Sequence, residues 1–365
     1  MLRHPIFFAG EPGSAYGWGI CNRHLFEELS KLTRVEPVYE AGSVKTEGTL
    51  PGHLFTPLGD HHLEATTPLR GLFNHGYTFF ENELDDSSVK NAAGLDTIFA
   101  GCSWCRDKLA ERGIESTVLV QGVDPKIFQP IENLGRGKLF IVFSGGKFEY
   151  RKGQDIVLRA VQRLQRKYPD IVLINAWANR WVYSLETMKR SPHITYAFSG
   201  DTWQEVMKRL YALNGIDDKR IVTMPLVSQI DLAKACHLSS IGVFPNRCEG
   251  GTNLVMMEYM ACGKPVVASY ATGHCDVLTE RNAYLLRKLK PLELKDEQGR
   301  VFARWVEPDL DELTAQIEHA YLSREETALK GRQAALDMAG WTWKRSAETV
   351  VETLLRFEAK QKAPA

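Results

Sequence analysis

The sequence predicts an α/β protein of two doubly wound domains that face each other across a central cleft. Three observations carry that prediction. Short apolar strands alternate with amphipathic helical stretches through both halves of the chain, which implies parallel sheets covered on both faces. Several of the apolar runs end in glycine, as strands do where they turn toward a helix. A polar, glycine-containing stretch, QPIENLGRGK (129–138), separates the two series and reads as a linker. The expected domains are 1–133 and 134–340, with 341–365 a C-terminal helix that packs back toward the first.

In chain order, PIFFAG (5–10) reads as a strand and ICNRHLFEELSKL (20–32) as an amphipathic helix, with Ile20, Leu25, Leu29 and Leu32 on one side. RVEPVYE is the next expected strand, and residues 41–70, rich in Gly, Pro, Thr and His, receive no assignment. GLFNHG, LDTIFAG and STVLVQG follow as short buried strands. The second series runs LFIVFSGG (139–146), helix 153–168, IVLINAWA (171–178), helix 202–213, RIVTMP (220–225), helix 228–239 and IGVFP (241–245). Ser228 and Asp231 fit a capping box for the last of these helices. Thr252 or Asn253 can cap a further helix that Gly263 and Pro265 end, and PVVAS (265–269) is a buried strand. Ligands of such sheets sit at the carboxyl ends of the strands.

The 365 residues suffice for two domains. Lys plus Arg and Asp plus Glu balance at 45 each, which argues against a dedicated nucleic-acid binder. No apolar run reaches the roughly twenty residues of a membrane span. The N-terminus lacks a signal-like apolar core, and seven cysteines suggest reduced thiols, so the expected location is the cytoplasm. Cys102 and Cys105 form a CxxC without a second zinc pair; packing and helix-start geometry are weighed against a redox role.

Three strand-to-helix junctions could carry chemistry. Gly10-Glu-Pro-Gly13-Ser-Ala-Tyr-Gly17-Trp18-Gly19 offers backbone amides to an anion. It also approaches a dinucleotide fingerprint, with Glu36 or Glu40 as the acidic partner. SGGKFEYRKGQD (144–155) gathers Lys147, Arg151 and Lys152 at a strand end. NRCEGGTN (246–253) supplies Glu249 and the amides of Gly250, Gly251, Thr252 and Asn253. Glu258 lies within an otherwise apolar helix, where an ionised carboxylate needs a partner; protein groups and a ligand diol or amine are equally good readings. As a hydrolytic acid–base pair Glu249 and Glu258 fit poorly, being nine positions apart, about 13 Å along a helix, against roughly 5–9.5 Å in glycosidases. Asp309-Leu-Asp311 spells DxD but reads as a helix start rather than a metal site.

EGGTNLVMMEYMACGKPVVAS (249–269) resembles the retaining glycosyltransferases of family 4, which have the GT-B fold of two Rossmann-like domains, in their Glu, Gly-rich turn, second Glu and EAMACGxPVV. SGGKFEYRKGQDIVLRA is similar to that family's GRLxxEKGxDxLIxA, STVLVQGVDPKIFQP to its VxVIPNGVDxxxFxP, and GWTWKRSAETVVETL to its closing Trp-containing helix. Two departures stand out. Eight residues rather than seven separate Glu249 from Glu258, and Lys147 replaces an Arg. The resemblance implies metal-independent transfer, with retention, from a nucleotide-diphosphate sugar to a hydroxyl acceptor, as in glycan or glycolipid assembly, without a cofactor. It places the acceptor on domain 1–133 and the donor on 134–340. It implies Lys147 and Lys152 at the leaving diphosphate, Glu249 and Gly250 to Asn253 near the donor sugar, and Glu258 at the ribose. It also implies His75 near the donor sugar, on a strand end facing the cleft, Gly17, Trp18 and Gly19 as the opposing loop, and Glu81 at acceptor hydroxyls. An NAD-dependent oxidoreductase, a non-catalytic sugar-nucleotide binder and a sugar-nucleotide epimerase are the competing readings. Peripheral contact with a membrane stays open.

Overall fold

The computed structural model describes all residues except 1, 15, 40–47, 132–137, 180, 198–199, 201 and 362–365. Glu40 and the heart of the expected linker therefore lie outside the described residues.

The first sheet contains β1 (Ile6–Phe8), β2 (Val35–Pro37), β3 (Leu50–Gly59), β4 (Glu64–Ala65), β5 (Gly71–Thr78), β6 (Thr97–Ala100) and β7 (Thr117–Val118). Its order is β2-β1-β3-β5-β6-β7, all parallel, with the short β4 antiparallel to the end of β3. The second sheet contains β8 (Phe140–Gly145), β9 (Ile171–Ala176), β10 (Ile221–Thr223), β11 (Ile241–Phe244), β12 (Val266–Ser269) and β13 (Ala283–Leu286). It runs β10-β9-β8-β11-β12-β13, so strand order reverses between β8 and β11. In the first sheet the reversal falls between β1 and β3. Each reversal opens a crevice at the carboxyl ends of the strands. An antiparallel hairpin, β14 (Leu289–Lys295) and β15 (Val301–Pro308), follows the second sheet.

The helices are α1 (Gly17–Leu32), α2 (Asp86–Ala92), α3 (Ser103–Glu111), α4 (Gln154–Lys167), α5 (Val182–Glu186), α6 (Trp203–Leu213), α7 (Gln229–Leu238), α8 (Leu254–Ala261), α9 (Leu310–Leu322), α10 (Arg324–Met338) and α11 (Trp343–Lys360). None among the described residues is long and apolar enough to cross a membrane. Local chemistry explains their starts. Ser228 accepts from Asp231 N at the head of α7, Asn253 from Met256 N at α8, and Asp309 from Glu312 N at α9. Asp309 is thus a helix cap, and Asp311 pairs with Arg163 at 2.6 Å. Helix α1 starts three residues before the expected Ile20.

The unassigned stretch 41–70 holds β3, the longest strand of the first sheet and central in it. Pro51, Gly52 and Pro57 disguise it. The register shifts between Leu50 and His53, which absorbs Pro51 and Gly52. Pro57 lies beyond Phe55, the last residue of β3 that pairs with β1. On that side Pro57 meets Thr66, just past the two-residue β4. Thr66 N donates to the Pro57 carbonyl at 3.1 Å, so the missing N–H costs one bond of a short edge pairing and none of the parallel ladder.

Helix α11 packs against the first sheet. Its Trp343, Ala347, Val350 and Leu354 share a core with Ile6, Phe8, Leu25, Leu29 and Phe55. Glu358 fastens its end. The buried carboxylate accepts from Arg3 N and His4 N, 3.2 and 3.3 Å away, and lies 3.0 Å from His53 Nε2. Burial would raise this carboxyl, but the His53 contact and the two amides hold it below its ordinary value. Its stabilisation is therefore present at neutral pH and lost on acidification. Glu358→Gln is expected to lose roughly 1–3 kcal/mol at pH 7, and urea denaturation should show the gap to wild type closing below about pH 4.

Candidate functional site

The loops after β8 and β11 meet at the reversal point of the second sheet, and Glu249 is where they join. It is buried, accepts from Lys152 Nζ at 2.5 Å and from Asn246 Nδ2, and lies 3.2 Å from Arg151 Nη1. Burial alone would raise its pKa; Lys152 and Arg151 outweigh that and lower it to about 2, so it is ionised. Burial pulls Lys152 below its ordinary value against the attraction of Glu249. Lys147 stands further out, about a third exposed, 3.2 Å from Glu149 and 5.5 Å from the centre of the Trp181 ring.

Arg151 ties this cluster to the first domain. It reaches Glu149 at 2.7 Å, Glu81 at 3.1 Å and the Cys248 carbonyl at 2.9 Å. Burial opposes its charge, yet Glu81, Glu249 and Glu149 keep it well above its ordinary value. Glu81 also accepts from Gly250 N at 3.2 Å, and its carbonyl accepts from Trp305 Nε1 of β15 at 2.7 Å. Three cations, Lys147, Arg151 and Lys152, thus face three carboxylates, Glu81, Glu149 and Glu249. Each of these carboxylates is already engaged by a Lys or Arg.

The Gly250–Asn253 loop is shaped by close approaches. A Cβ on Gly250 would lie 2.3 Å from the Phe80 carbonyl oxygen, and one on Gly273 1.7 Å from that of Gly251. The Gly250 carbonyl accepts from both Cys102 Sγ (3.2 Å) and Cys105 Sγ (3.0 Å). Cys102 also caps α3. The CxxC therefore serves packing and helix-start geometry, with both thiols free and buried. Asn253, at φ 63°, begins α8; its amide nitrogen lies 3.2 Å from Nε2 of His274, whose Nδ1 lies 3.0 Å from the Ser269 carbonyl. Burial lowers His274 to about 4, so the ring is neutral, donates from Nδ1 and accepts from Asn253.

Glu258 lies on the buried helix α8, away from this cluster, and has a protein partner. Gln229 Nε2 donates to it at 2.8 Å, and Arg23 Nη2 of α1 donates to Gln229 Oε1 at 2.7 Å. Burial pushes Glu258 up to about 8, despite Gln229 and the more distant Arg23. At neutral pH its carboxyl group is protonated.

The opposing loop comes from the first domain. Gly13 N donates to Gly19 O at 2.9 Å, and a Cβ on Gly17 would meet nothing within 4 Å. Tyr16 gives α1 no side-chain cap, and among the described residues no side chain claims the amides of its first turn, which can meet an anion. Trp18 packs on Phe79, with ring centres 4.9 Å apart. Asn22, where a dinucleotide fingerprint has its third glycine, donates to the Glu11 carbonyl and accepts from Tyr77. Glu36 pairs with Arg34.

His75 is the misplaced expectation. It sits within β5, three residues short of the strand end, fully buried, with Nε2 2.9 Å from His53 Nδ1 in the chain leading to Glu358. Burial lowers it to about 3. It faces α11, where Phe357 meets its ring at 5.4 Å, and not the cleft. Glu81, expected at acceptor hydroxyls, is held by Arg151 and Gly250. Sequence reasoning left out Arg23, Asn246, Gln229 and His274. Only His274 had a local signal, in the TGHCDVL that follows the glutamate motif.

Residues 138–304 match the family model described as Glycosyl transferases group 1. The chain is 26% identical over 246 residues to the D-inositol 3-phosphate glycosyltransferase of Arthrobacter sp. (strain FB24), covering 67% of this chain and 49% of that protein. It is 24% identical over 261 residues to the GDP-mannose-dependent alpha-(1-6)-phosphatidylinositol monomannoside mannosyltransferase of Mycolicibacterium smegmatis, covering 67% and 57%. The chain spans about half the length of the curated relatives it matches. In fold it is similar to sucrose-phosphate synthase from Thermosynechococcus elongatus (TM-score 0.67, 15% identity, 98% and 100% of the two chains covered). It is similar also to Anabaena HepE, solved with UDP and glucose (0.63, 14%, 96% and 99%).

The environment of Glu258 gives a pH prediction. Between about pH 4.5 and 8 the unfolded chain ionises this group while the folded protein keeps its proton, so stability falls as pH rises through that window. Glu258→Gln, always neutral, is expected to gain on wild type by roughly a few kcal/mol between pH 5 and pH 9 in urea denaturation. A gap independent of pH would contradict the protonated Glu258.

Proposed function

We propose that this chain, whose residues 138–304 match the group 1 glycosyltransferase model and which has the GT-B fold, is a retaining, metal-independent hexosyltransferase. It moves a sugar from a nucleoside-diphosphate donor to a hydroxyl acceptor. The observation that carries this reading is the buried Lys152–Glu249 pair at the reversal point of the second sheet, beside the Gly250–Asn253 loop and Lys147.

Departure of a nucleoside diphosphate builds negative charge as the glycosidic bond breaks. Preorganised cations and amides lower that barrier because they need no reorganisation as the charge appears. Lys147 is the cation exposed enough to reach a diphosphate, with Lys152 behind it and the first-turn amides of α1 opposite. Glu249 holds Lys152 in place and lies where the donor sugar would sit. Metal independence is supported by the carboxylates: Glu81, Glu149 and Glu249 are each bound by Arg151, Lys147 or Lys152, so none is offered to an ion. Gln229 holds the place at Glu258 that ribose hydroxyls would take, and a diol donating there favours the carboxylate, so binding should release a proton. The names of the relatives support the donor class, since one is GDP-mannose-dependent and Anabaena HepE was solved with UDP-glucose. Domain 1–133 would present the acceptor, in the cytoplasm. The oxidoreductase alternative is not favoured: its third glycine is Asn22, engaged within the turn.

Calorimetry with UDP, GDP, ADP, TDP and NAD in EDTA tests this. One diphosphate is expected to bind, and Lys152→Ala to weaken it about ten-fold or more, the roughly 1.5–3 kcal/mol of a charged hydrogen bond. Buffers of different ionisation enthalpy should show proton release at pH 7 that Glu258→Gln abolishes. Binding of NAD alone would overturn the proposal.

A further inference from the structure

At the carboxyl end of β3 the chain reads Gly59-Asp60-His61-His62-Leu63. One donor atom from each of Asp60, His61 and His62 lies within 4.8 Å of the other two, the only such group of metal-capable side chains found among the described residues. We propose that this turn binds a divalent transition-metal ion, with Zn2+ the chemical match, at a site separate from the sugar-transfer cluster.

Four observations carry it. His61 Nδ1 is buried and makes no hydrogen bond, while lying 3.3 Å from Asp60 Oδ1. That separation is the edge of a tetrahedron with metal–ligand distances near 2.0–2.1 Å, about 3.3 Å. His62 has its other nitrogen occupied: Nδ1 is 3.0 Å from Ser87 Oγ and 3.3 Å from Asp85 Oδ2. Donation from Nδ1–H to such a partner fixes the tautomer and leaves Nε2 with its lone pair outward, as metal-bound imidazoles are oriented in known sites. The two rings are neighbours, with centres 3.9 Å apart and planes tilted by 38°. The backbone is held as well, since Ser88 Oγ donates to the His61 carbonyl at 2.7 Å and Asn91 Nδ2 to that of His62 at 2.9 Å.

Two imidazoles and a carboxylate form the borderline donor set that suits Zn2+ rather than Mg2+. Asp85 adds negative charge close by. The ion would stiffen the turn, which His62 already ties to Asp85 and Ser87 at the start of α2, beside the segment after β5 that carries Glu81. None of Lys147, Lys152, Glu249 or Glu258 takes part, so transfer chemistry would proceed without the ion.

Zn2+ titrated calorimetrically into the untagged 365-residue chain, stripped with EDTA, desalted and kept reduced, tests the site. One ion per chain is expected. His61→Ala or His62→Ala should weaken it at least ten-fold, Ser87→Ala by less, and Mg2+ should give no saturable heat. Thermal melts in EDTA establish that the variants are folded, and Zn2+ should raise the Tm of wild type but not of the His61→Ala/His62→Ala double variant. The proposal is overturned if wild type shows no saturable binding at one ion per chain. It is equally overturned if the double variant binds as tightly as wild type, which would move the ion to the buried thiols.

Discussion

Arg151 is the group on which the arrangement of this protein turns. A guanidinium taken out of water costs several kcal/mol, and only a complete set of carboxylates at hydrogen-bond distance offsets that. Two of its three, Glu149 and Glu249, come from the second domain; the third, Glu81, comes from the first. Satisfying Arg151 therefore brings the two domains together at one point. Glu81 also receives the Gly250 amide, so the charge cluster and the loop of the glutamate motif are fixed by the same contact. The hairpin β14–β15 reinforces it, with Trp305 on the Glu81 carbonyl and Glu83 N donating to the Phe302 carbonyl at 2.8 Å.

Around that point the eight residues between the two glutamates divide into a loop, 250–253, and the first half of α8. The loop needs Gly250 because the Phe80 backbone runs against it. The helix turns Glu258 to the opposite side, into a relay through Gln229 to Arg23 of α1. The two glutamates thus have contrasting electrostatics. Glu249 is surrounded by cations and stays ionised, whereas Glu258 has one neutral amide and keeps a proton. A single short motif presents an anion at one end and a neutral acid at the other, each linked to a different part of the first domain through one intermediary, Arg151 to Glu81 and Gln229 to Arg23.

The second domain was legible in the sequence because its strands are unbroken apolar runs and its helices have clear caps, Asn253 and Asp309 among them. The first was less so. Strand β3 is interrupted by Pro51, Gly52 and Pro57, residues tolerated because of a register shift at the first two and because only the short β4 pairs beside the third. The hairpin at 289–308 was missed, its strands being half-exposed and rich in charge. His75 was misplaced because the strand around it runs on to Thr78, which puts position 75 in the sheet interior. Lys147, Lys152 and Glu249, which the structure gathers in one cluster, were singled out because strand ends before helices mark the crevice. Gln229 and Arg23, which satisfy Glu258, were not, since pairing across 29 and 206 positions leaves no local pattern, and Asn246, three residues before Glu249, carries no charge to mark it.

The most direct test of the central claim is transfer itself. The chain would be incubated in EDTA with sugar nucleotides whose bases bind, together with a panel of polyol and sugar acceptors. Nucleoside-diphosphate release would be measured alongside the anomeric configuration of the product by proton NMR. The account predicts release coupled to a product with the donor's configuration, lost in Lys152→Ala. An inverted product, or a requirement for a divalent ion, would contradict it.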